Sequence, residues 1–399
     1  MRLKSSLSCL VAAVAAAAFI TVPAEAAGRV AATCGAVLST NAYLKRDLVC
    51  TSGITAAASL TLDLRGHRLT GPWTTSNPVR GAAVTVVGGI TVNIVNGQIG
   101  HWDEGVKVST STSTAPEPQA LAVNLDRVTL SNNSTGVSSV GFSDEPFVDL
   151  HVTNSRFEAN QLGIGGGFRY GLAVDRTVLL NNREAVSISV GTARITETRI
   201  QGSTVGVNCQ WICNLSDSHV TENTTGVSLR EGSVVVQNSV VSRNETGFAV
   251  AGLSGVDMAD TVVNENEKGI VVGQFSALKA TKSAFTDNGV GVTSEPLTGD
   301  LESLGYNVHL TGNVFSGNDN GIYLPRDAES GVRIGQNVAA YSSQYGIFAP
   351  GATDLGGNKA VRNAKPCVGV VCTALRRPPS LLRNHPAALL GIPTQGHGA

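Results

Sequence analysis

Residues 238–248 read NSVVSRNETGF and contain the pattern that identifies the fold. A similar phrase, DTVVNENEKGI, begins at Asp260, and another, DSHVTENTTGV, begins at Asp217. All three follow [DN]-x-x-Φ-x-x-N-x-x-G-Φ, where Φ is an aliphatic residue or Phe. Successive glycines of this pattern lie 20 to 22 residues apart between Gly206 and Gly291. Such self-similarity at a fixed period indicates an internal repeat.

The repeat extends along most of the chain. Its glycine column is occupied by Gly105, Gly136, Gly163, Ala185, Gly206, Gly226, Gly247, Gly269, Gly291, Gly321 and Gly346. Three residues earlier is an asparagine column, predicted to form a structural ladder, made of Asn133, Asn160, Asn182, Asn223, Asn244, Asn266, Asn288 and Asn318. A second polar column precedes it and consists of Asp126, Asn154, Asp175, Asp217, Asn238, Asp260 and Asn337.

The segments between these columns predict β-strands. Stretches such as SVVVQNSVV and GIVVG are short and rich in Val and Ile, and nothing sustains a helical period. Three short strands and three turns fill about 22 residues, so each repeat makes one triangular rung, stacked about 4.8 Å from the next as parallel strands. A glycine opening a strand allows backbone angles that other residues resist, and asparagines at one corner can hydrogen-bond from rung to rung.

The net charge of the chain limits the classes of partner that it could attract electrostatically. Lys plus Arg number 29 and Asp plus Glu number 30, so the formal net charge is -1. This balance provides no electrostatic case for binding nucleic acid or an anionic membrane.

The N-terminus predicts export. Arg2 and Lys4 precede a short apolar core at residues 9–20, and Ala24-Glu25-Ala26 forms an A-x-A cleavage site, as in a secretory signal peptide. No later segment is long enough to span a membrane. Six cysteines follow the predicted signal peptide, and they lie in three local pairs: Cys34 with Cys50, Cys209 with Cys213, and Cys367 with Cys372. We interpret these pairs as disulfides rather than as a metal site. We therefore expect a secreted protein, or one associated with the cell surface, that is a monomer.

The rungs resemble those of the right-handed parallel β-helix repeat proteins of the pectin-lyase-like superfamily, which carry asparagine ladders and apolar stacks of this kind. The resemblance covers residues 51–363 and includes both ends. It implies an all-β, single-stranded right-handed parallel β-helix, a solenoid of about eleven or more rungs. The predicted divisions are a signal peptide at 1–26, an N-terminal cap with a disulfide at 27–50, the β-helix at 51–366, a C-terminal disulfide cap at 367–372 and a flexible tail at 373–399.

Four rungs exceed the common period, and this predicts a groove. The surplus residues STSTSTAPEPQ, SVGFSDEPF, SEPLTGDLESLGY and PRDAESG all follow the Gly-Φ strand, so we expect them to project from one edge near both ends of the helix. Between them, strand alternation exposes a floor on which a polysaccharide could lie. The predicted substrate-binding residues are Asn208, Gln210, Trp211, Ser228, Arg230 and Glu295. Trp211 has a second interpretation, because a tryptophan between two cysteines can also pack in the core.

The sequence offers little for catalysis. A polysaccharide lyase would need a base beside a carboxylate-bound Ca²⁺, which makes Ca²⁺ a possible cofactor, and a hydrolase would need two facing carboxylates. Arg230 with Glu231 is the best fragment of such a site, and no metal site is otherwise predicted. The sequence runs typical of pectate lyases and polygalacturonases are absent from the rungs, as is the D-P-H-D run of alginate epimerases.

The main expectation is therefore binding of an extracellular or cell-wall polysaccharide along the groove. One alternative is a polysaccharide lyase or uronate epimerase of the same fold, which would release an ultraviolet-absorbing product if it is a lyase. The other is a structural or adhesive surface protein, which would bind a protein partner and no glycan.

Overall fold

The computed structural model describes residues 28–109, 121–140, 148–295, 305–325 and 331–375. The predicted signal peptide, residues 376–399 of the predicted tail and most of each of the four surplus segments lie outside this part. The described residues form β-strands and turns, without a helix, and every pairing between the strands is parallel. The chain is a right-handed parallel β-helix, as predicted.

Each rung contributes one strand to each of three faces, which we name A, B and C in chain order. Face A begins at the repeat glycine and is built by Val37–Leu38, Ile54–Ala56, Ala82–Val87, Glu104–Ser109, Thr135–Val140, Val205–Cys209, Thr225–Leu229, Thr246–Val250, Lys268–Val272, Val290–Ser294, Asn320–Tyr323, Tyr345–Phe348 and Lys365–Val368. Face B follows and is built by Val30–Ala31, Ala42–Tyr43, Leu60–Asp63, Val148–Thr153, Ile212–Ser216, Ser233–Gln237, Gly255–Ala259, Ala277–Thr281, Asn307–Thr311, Val332–Gly335 and Thr353–Gly356.

Face C closes the rung with its shortest strands. It is built by Leu48–Val49, Arg68–Thr70, Arg156–Glu158, Val178–Leu180, Arg199–Gln201, His219–Thr221, Val240–Ser242, Val262–Asn264, Ala284–Thr286, Val314–Ser316, Val338–Ala340, Asn358–Val361 and Cys372–Ala374. Four longer strands turn a corner without a break: Thr91–Gly100 and Leu121–Ser131 run from face B to face C, and Leu162–Asp175 and Glu184–Thr196 run from face A to face B.

The core runs along the axis of the solenoid. Because side chains alternate along each strand, the inward residues of successive rungs stack on one another. Phe285 and Phe315 show this, with ring centroids 4.7 Å apart and planes 8° from parallel. The stack buries most of the apolar side chains and holds the outward columns in register.

The corner between faces C and A, which we name the ladder corner, contains the asparagine column. All eight predicted asparagines are buried. At Asn244 the backbone N–H and Nδ2 both donate to Oδ1 of Asn266, at 2.9 and 3.0 Å, and Nδ2 also donates to the carbonyl of Val220 at 3.2 Å. Asn223 donates to Asn244 in the same way, so each amide satisfies groups on two neighbouring rungs.

The glycine column has a different cause from the one that we expected. Its members between Gly105 and Gly346 do not adopt left-handed backbone angles. Instead the backbone of the next rung lies too close for a side chain: a Cβ on Gly226 would lie 2.6 Å from the carbonyl oxygen of Gly247, and one on Gly247 would lie 2.5 Å from that of Gly269. Close approach of stacked backbones therefore explains these glycines.

The second polar column was also placed out of register. Asn154, Asp217, Asn238 and Asp260 occupy left-handed positions at the corner between faces B and C, where Asn and Asp are tolerated best. Asp126 and Asp175 instead precede the left-handed residues Arg127 and Arg176, and Asn337 is a buried ladder residue. The inner positions of this corner form a second ladder, composed of Ser155, Thr177, Thr198, Ser218, Ser239, Thr261, Ser283, Asn313, Asn337 and Asn358.

Three disulfides form as predicted: Cys34–Cys50, Cys209–Cys213 and Cys367–Cys372. Disulfides of this kind are typical of proteins outside the cytosol. Parallel pairing begins at Val30, within the segment predicted as a cap, and it extends to Ala374, beyond the predicted end of the β-helix. None of the described residues belongs to a helix that could cross a membrane.

Candidate functional site

Face A carries a groove of about 890 Å³ in its C-terminal half. Its floor follows the central outward column, in which Ala249, Val271, Thr293 and Tyr323 pair on four successive rungs. The groove is lined by Thr246, Ala249, Lys268, Val271, Val290, Thr293, Ser294, Glu295, Tyr323 and Pro325. It therefore combines an apolar floor with hydroxyl, ammonium and carboxylate groups.

Three aromatic side chains extend the groove toward the C-terminal end. Ring centroids of Tyr323 and Phe348 lie 5.2 Å apart in a stacked arrangement, and those of Tyr345 and Phe348 lie 4.7 Å apart. Lys365 Nζ lies 4.7 Å from the centroid of Tyr345 and 3.3 Å from its hydroxyl oxygen. All three rings point outward from face A and are half-buried, because the packed core occupies the other side of these strands. We name Tyr323, Tyr345 and Phe348 the aromatic platform.

Glu295 lies at the edge of the groove nearest face B. Its carboxylate oxygen is 3.3 Å from the position that a Cβ on Gly273 would take. The absence of a side chain at Gly273 thus leaves room for the carboxylate to lie over the preceding rung. Glu295 is exposed, so its oxygens can accept hydrogen bonds from a ligand.

Of the six predicted substrate-binding residues, Glu295 is the one that lines this groove. Asn208 and Ser228 stand in the same central column and are half-exposed, but they lie on rungs that precede Ala249. Gln210 and Arg230 are exposed on the same edge of face A as Glu295. Arg230 is three rungs from Glu295, about 14 Å at the usual spacing of strands, so the two would contact different units of a bound chain.

Trp211 is exposed, which excludes the interpretation as a core residue. The disulfide Cys209–Cys213 closes a tight turn around it, and 51% of the side chain is accessible. Glu231 is exposed at the corresponding corner of the next rung. We name this corner, between faces A and B, the variable corner, because Trp211, Glu231, Leu253 and Phe275 occupy its tip on four successive rungs.

Face B contains a charged column that the sequence reasoning missed. Asp257, Lys279, His309 and Arg333 pair on four successive rungs, beside a smaller groove of about 370 Å³. A signal for it exists: each of these residues lies four positions before a member of the second ladder, namely Thr261, Ser283, Asn313 and Asn337. No binding residue of face B was predicted, because the register was applied only to face A and to the asparagine columns.

Arg230 with Glu231 and a possible Ca²⁺ site are the catalytic features that were considered from the sequence. Within the described residues, no group of three or more His, Cys, Asp or Glu side chains is placed to hold a metal ion. Arg230 and Glu231 are both exposed at the surface and lie outside the linings of the two grooves.

Comparisons with known proteins agree with the fold. A sequence model of the family described as "Right handed beta helix region" matches residues 169–296 and 203–365, which include the groove on face A. Among curated protein sequences there is no significant match.

Solved structures resemble the chain at low identity. A mutant of the periplasmic alginate epimerase AlgG shares 14% identity over 87% of this chain and 84% of that chain, with a TM-score of 0.44. The A-module of the Azotobacter vinelandii mannuronan C-5 epimerase AlgE4 shares 13% identity over 86% of this chain and 90% of that chain, with a TM-score of 0.31. The Dettilon tailspike protein shares 13% identity over 80% of this chain and 62% of that chain, with a TM-score of 0.25.

Proposed function

Since the chain is a right-handed parallel β-helix repeat protein of the pectin-lyase-like kind, we propose that it binds an extracellular polysaccharide along face A. The observation that carries this proposal is the aromatic platform beside the groove. Exposed aromatic clusters often mark binding surfaces, and these three rings form an outward-facing cluster in which Tyr323 and Phe348 continue the column of smaller side chains and Tyr345 packs beside them.

The platform suits the chemistry of a sugar ring. A pyranose presents C–H groups on its faces and hydroxyls around its edge, so it can stack on an aromatic ring while its hydroxyls reach polar groups. Tyr323 and Tyr345 provide both a ring face and a hydroxyl. Lys268, Thr293 and Glu295 supply donors and acceptors along the groove.

The geometry of the solenoid suits a polymer rather than a compact ligand. The rungs rise by about 4.8 Å, which is close to the length of one sugar residue in an extended chain. The groove runs along the stack of rungs from Thr246 to Pro325. Successive sugars would therefore meet successive rungs of one face.

The test is binding of neutral and acidic oligosaccharides by isothermal titration calorimetry, after a glycan array has selected ligands. Tyr323→Ala and Tyr345→Ala should each weaken binding about tenfold, since an aromatic contact contributes about 1 kcal/mol beyond the area that it buries. Tyr341→Ala is the matched control, because Tyr341 lies at the ladder corner beside Arg362 and belongs neither to the lining of the groove nor to the aromatic platform. Equal affinities for all three variants and the wild type would refute the proposal.

Arg230 provides a second test of the extent of the site. Arg230→Ala should weaken binding of a long oligosaccharide without lowering the melting temperature, because the side chain is exposed. A short oligosaccharide confined to the groove should bind this variant normally. Unchanged affinity for the long ligand would remove Arg230 from the site.

A further inference from the structure

Face B carries a second groove whose chemistry differs from that of face A. Its floor is formed by the small residues Ser233, Gly255 and Ala277, which pair on three successive rungs. The column beside this floor begins with the apolar Val235 and continues with Asp257, Lys279, His309 and Arg333. One end of the groove is therefore apolar and the other carries basic side chains.

The charges of this column are only partly compensated. Lys279 Nζ donates to Oδ2 and Oδ1 of Asp257 at 2.9 and 3.2 Å. The side chains of His309 and Arg333 make no hydrogen bond or ion pair to any residue in the described part of the chain. They are half-exposed and exposed, respectively, and belong to adjacent rungs.

The nearest carboxylate on the next rung is engaged elsewhere. Asp354 Oδ1 accepts from the backbone N–H of Gly356 at 2.8 Å and from Nδ2 of Asn358 at 3.1 Å, and Oδ2 accepts from the backbone N–H of Val371 at 2.8 Å. Adjacent rungs hold His309 and Arg333 about 4.8 Å apart at the backbone, so both side chains can reach one oxyanion. Among the residues that the structure describes, the column thus presents a pair of donors without an acidic partner.

An exposed aromatic residue precedes the floor of this groove in the chain and lies outside its lining. Phe275 has a left-handed backbone (φ 60°) at the variable corner, two residues before Ala277, and 44% of it is accessible. A left-handed conformation is uncommon for a bulky residue, and the preceding rung uses a glycine, Gly252, for the left-handed position of this corner (φ 66°). The fold does not require an aromatic residue there, and such outliers cluster at binding sites.

We propose that the groove on face B is a subsite for an acidic saccharide. A carboxylate or a sulfate ester of the ligand binds between His309 and Arg333, and the sugar ring lies on the apolar floor on the side of Phe275. The identity of the ligand as a saccharide rests on the proposed function, whereas the preference for an oxyanion rests on the column alone.

The test uses three oligosaccharides of equal length in isothermal titration calorimetry: one with uronic acids, its carboxyl-reduced neutral counterpart and a sulfated one. Arg333→Gln should weaken binding of an acidic ligand about tenfold, as expected for loss of a charge-assisted hydrogen bond. The matched control is Arg194→Gln, since Arg194 occupies the same column of face B between Ala173 and Asn214, away from the groove. Arg194→Gln should change the affinity by less than about twofold.

Four outcomes would overturn the inference: an equal loss in both arginine variants, no loss in Arg333→Gln, equal wild-type affinity for the acidic and the neutral oligosaccharide, or no binding of either acidic one at millimolar concentration. The two acidic ligands decide between a carboxylate and a sulfate. Tyr345→Ala separates this subsite from face A. If Tyr345→Ala binds normally while Arg333→Gln does not, the proposal for face A fails and the subsite on face B stands.

Discussion

The ladder corner and the variable corner lie at the two ends of the same face A strands, yet they differ in almost every respect. At the ladder corner most rungs repeat a buried asparagine and a glycine, and neighbouring rungs satisfy each other's hydrogen bonds. At the variable corner the tip residues are Trp211, Glu231, Leu253 and Phe275 in succession, all exposed. Stacking therefore constrains the residues of the ladder corner, whereas the variable corner tolerates different side chains from rung to rung.

The largest loss of stability is expected from a substitution that fills the space between two rungs at the ladder corner. Gly247→Val should cost at least about 3 kcal/mol of unfolding free energy, because its Cβ would lie 2.5 Å from the carbonyl oxygen of Gly269. Ala185 shows that one position of the column accepts a single methyl group, so a branched side chain is the stronger test. Urea denaturation monitored by circular dichroism measures the change.

The control for this variant lies at the variable corner. Leu253 is 79% exposed, so Leu253→Ala should change the unfolding free energy by less than about 0.5 kcal/mol. If both variants unfolded at the same urea concentration, the contrast between the two corners would be wrong.

Removing one amide from the ladder should have the next largest effect. Asn244→Ala removes the acceptor for the backbone N–H and Nδ2 of Asn223 and leaves buried donors unsatisfied, which should cost about 3 kcal/mol. Asn238→Ala is the matched substitution at the corner between faces B and C, where the side chain is exposed and the backbone is left-handed (φ 48°). It should cost about 1 kcal/mol through backbone strain alone. Thermal unfolding of both variants separates hydrogen bonding from strain.

The disulfide at the variable corner should have a moderate effect. Cys209 and Cys213 are four residues apart, so the bridge removes little entropy from the unfolded chain and its loss should cost about 2 kcal/mol. The double variant Cys209→Ser with Cys213→Ser tests this in urea. Because the bridge also shapes the turn around Trp211, tryptophan fluorescence should change in the folded state, and an unchanged spectrum would show that the turn keeps its shape without it.

The ladder corner could be predicted from the sequence because most rungs repeat its residues. Asn244 and its seven equivalents were identified from spacing alone, since stacking demands the same side chain at the same position. The reason for the glycines could not be predicted, because the approach of Gly269 to Gly247 depends on how closely the rungs stack.

The candidate sites were less predictable. The aromatic platform consists of Tyr323, Tyr345 and Phe348, which come from two rungs of irregular length. Because these rungs depart from the common period, the residues that pair between them cannot be predicted by counting along the sequence. Arg333 and His309 were not predicted for a different reason. The register of face B follows from the second ladder, and of the predicted second polar column only Asn337 belongs to that ladder. Trp211 could not be assigned because two nearby cysteines suit a buried or an exposed turn equally well.

The smallest expected effect is a loss of stability that arises because regular stacking places two acidic side chains on adjacent rungs. The left-handed tips of the ladder corner place Glu222, Arg243, Glu265 and Asp287 on successive rungs. Arg243 pairs with Glu222 at 3.1 Å, but Asp287 follows Glu265, a residue of the same charge. Burial, and then repulsion from Glu265, raise the pKa of Asp287 above its ordinary value.

A raised pKa means that the folded state binds more protons than the unfolded state between the ordinary pKa and the raised pKa. Stability therefore falls as pH rises through this window, and the loss is complete above it. Asp287→Asn cannot ionise, so it should be more stable than the wild type at pH 7 by less than about 1 kcal/mol. Part of this gain should vanish at pH 3, below the ordinary pKa of about 3.9, while any gain from the left-handed preference of asparagine should persist.

Asn181 offers the reverse experiment on the same corner. It is left-handed (φ 52°), and its Oδ1 faces a glycine of the next rung, Gly202, as Oδ1 of Asp287 faces Gly317. Its left-handed neighbours on adjacent rungs are uncharged, Ala159 and Gly202. Asn181→Asp should therefore escape this repulsion and lose less stability between pH 3 and pH 7. Chemical denaturation at both pH values measures each difference. Equal pH dependence at the two positions would show that Glu265 contributes nothing, and stacking like charges at this corner would then be harmless.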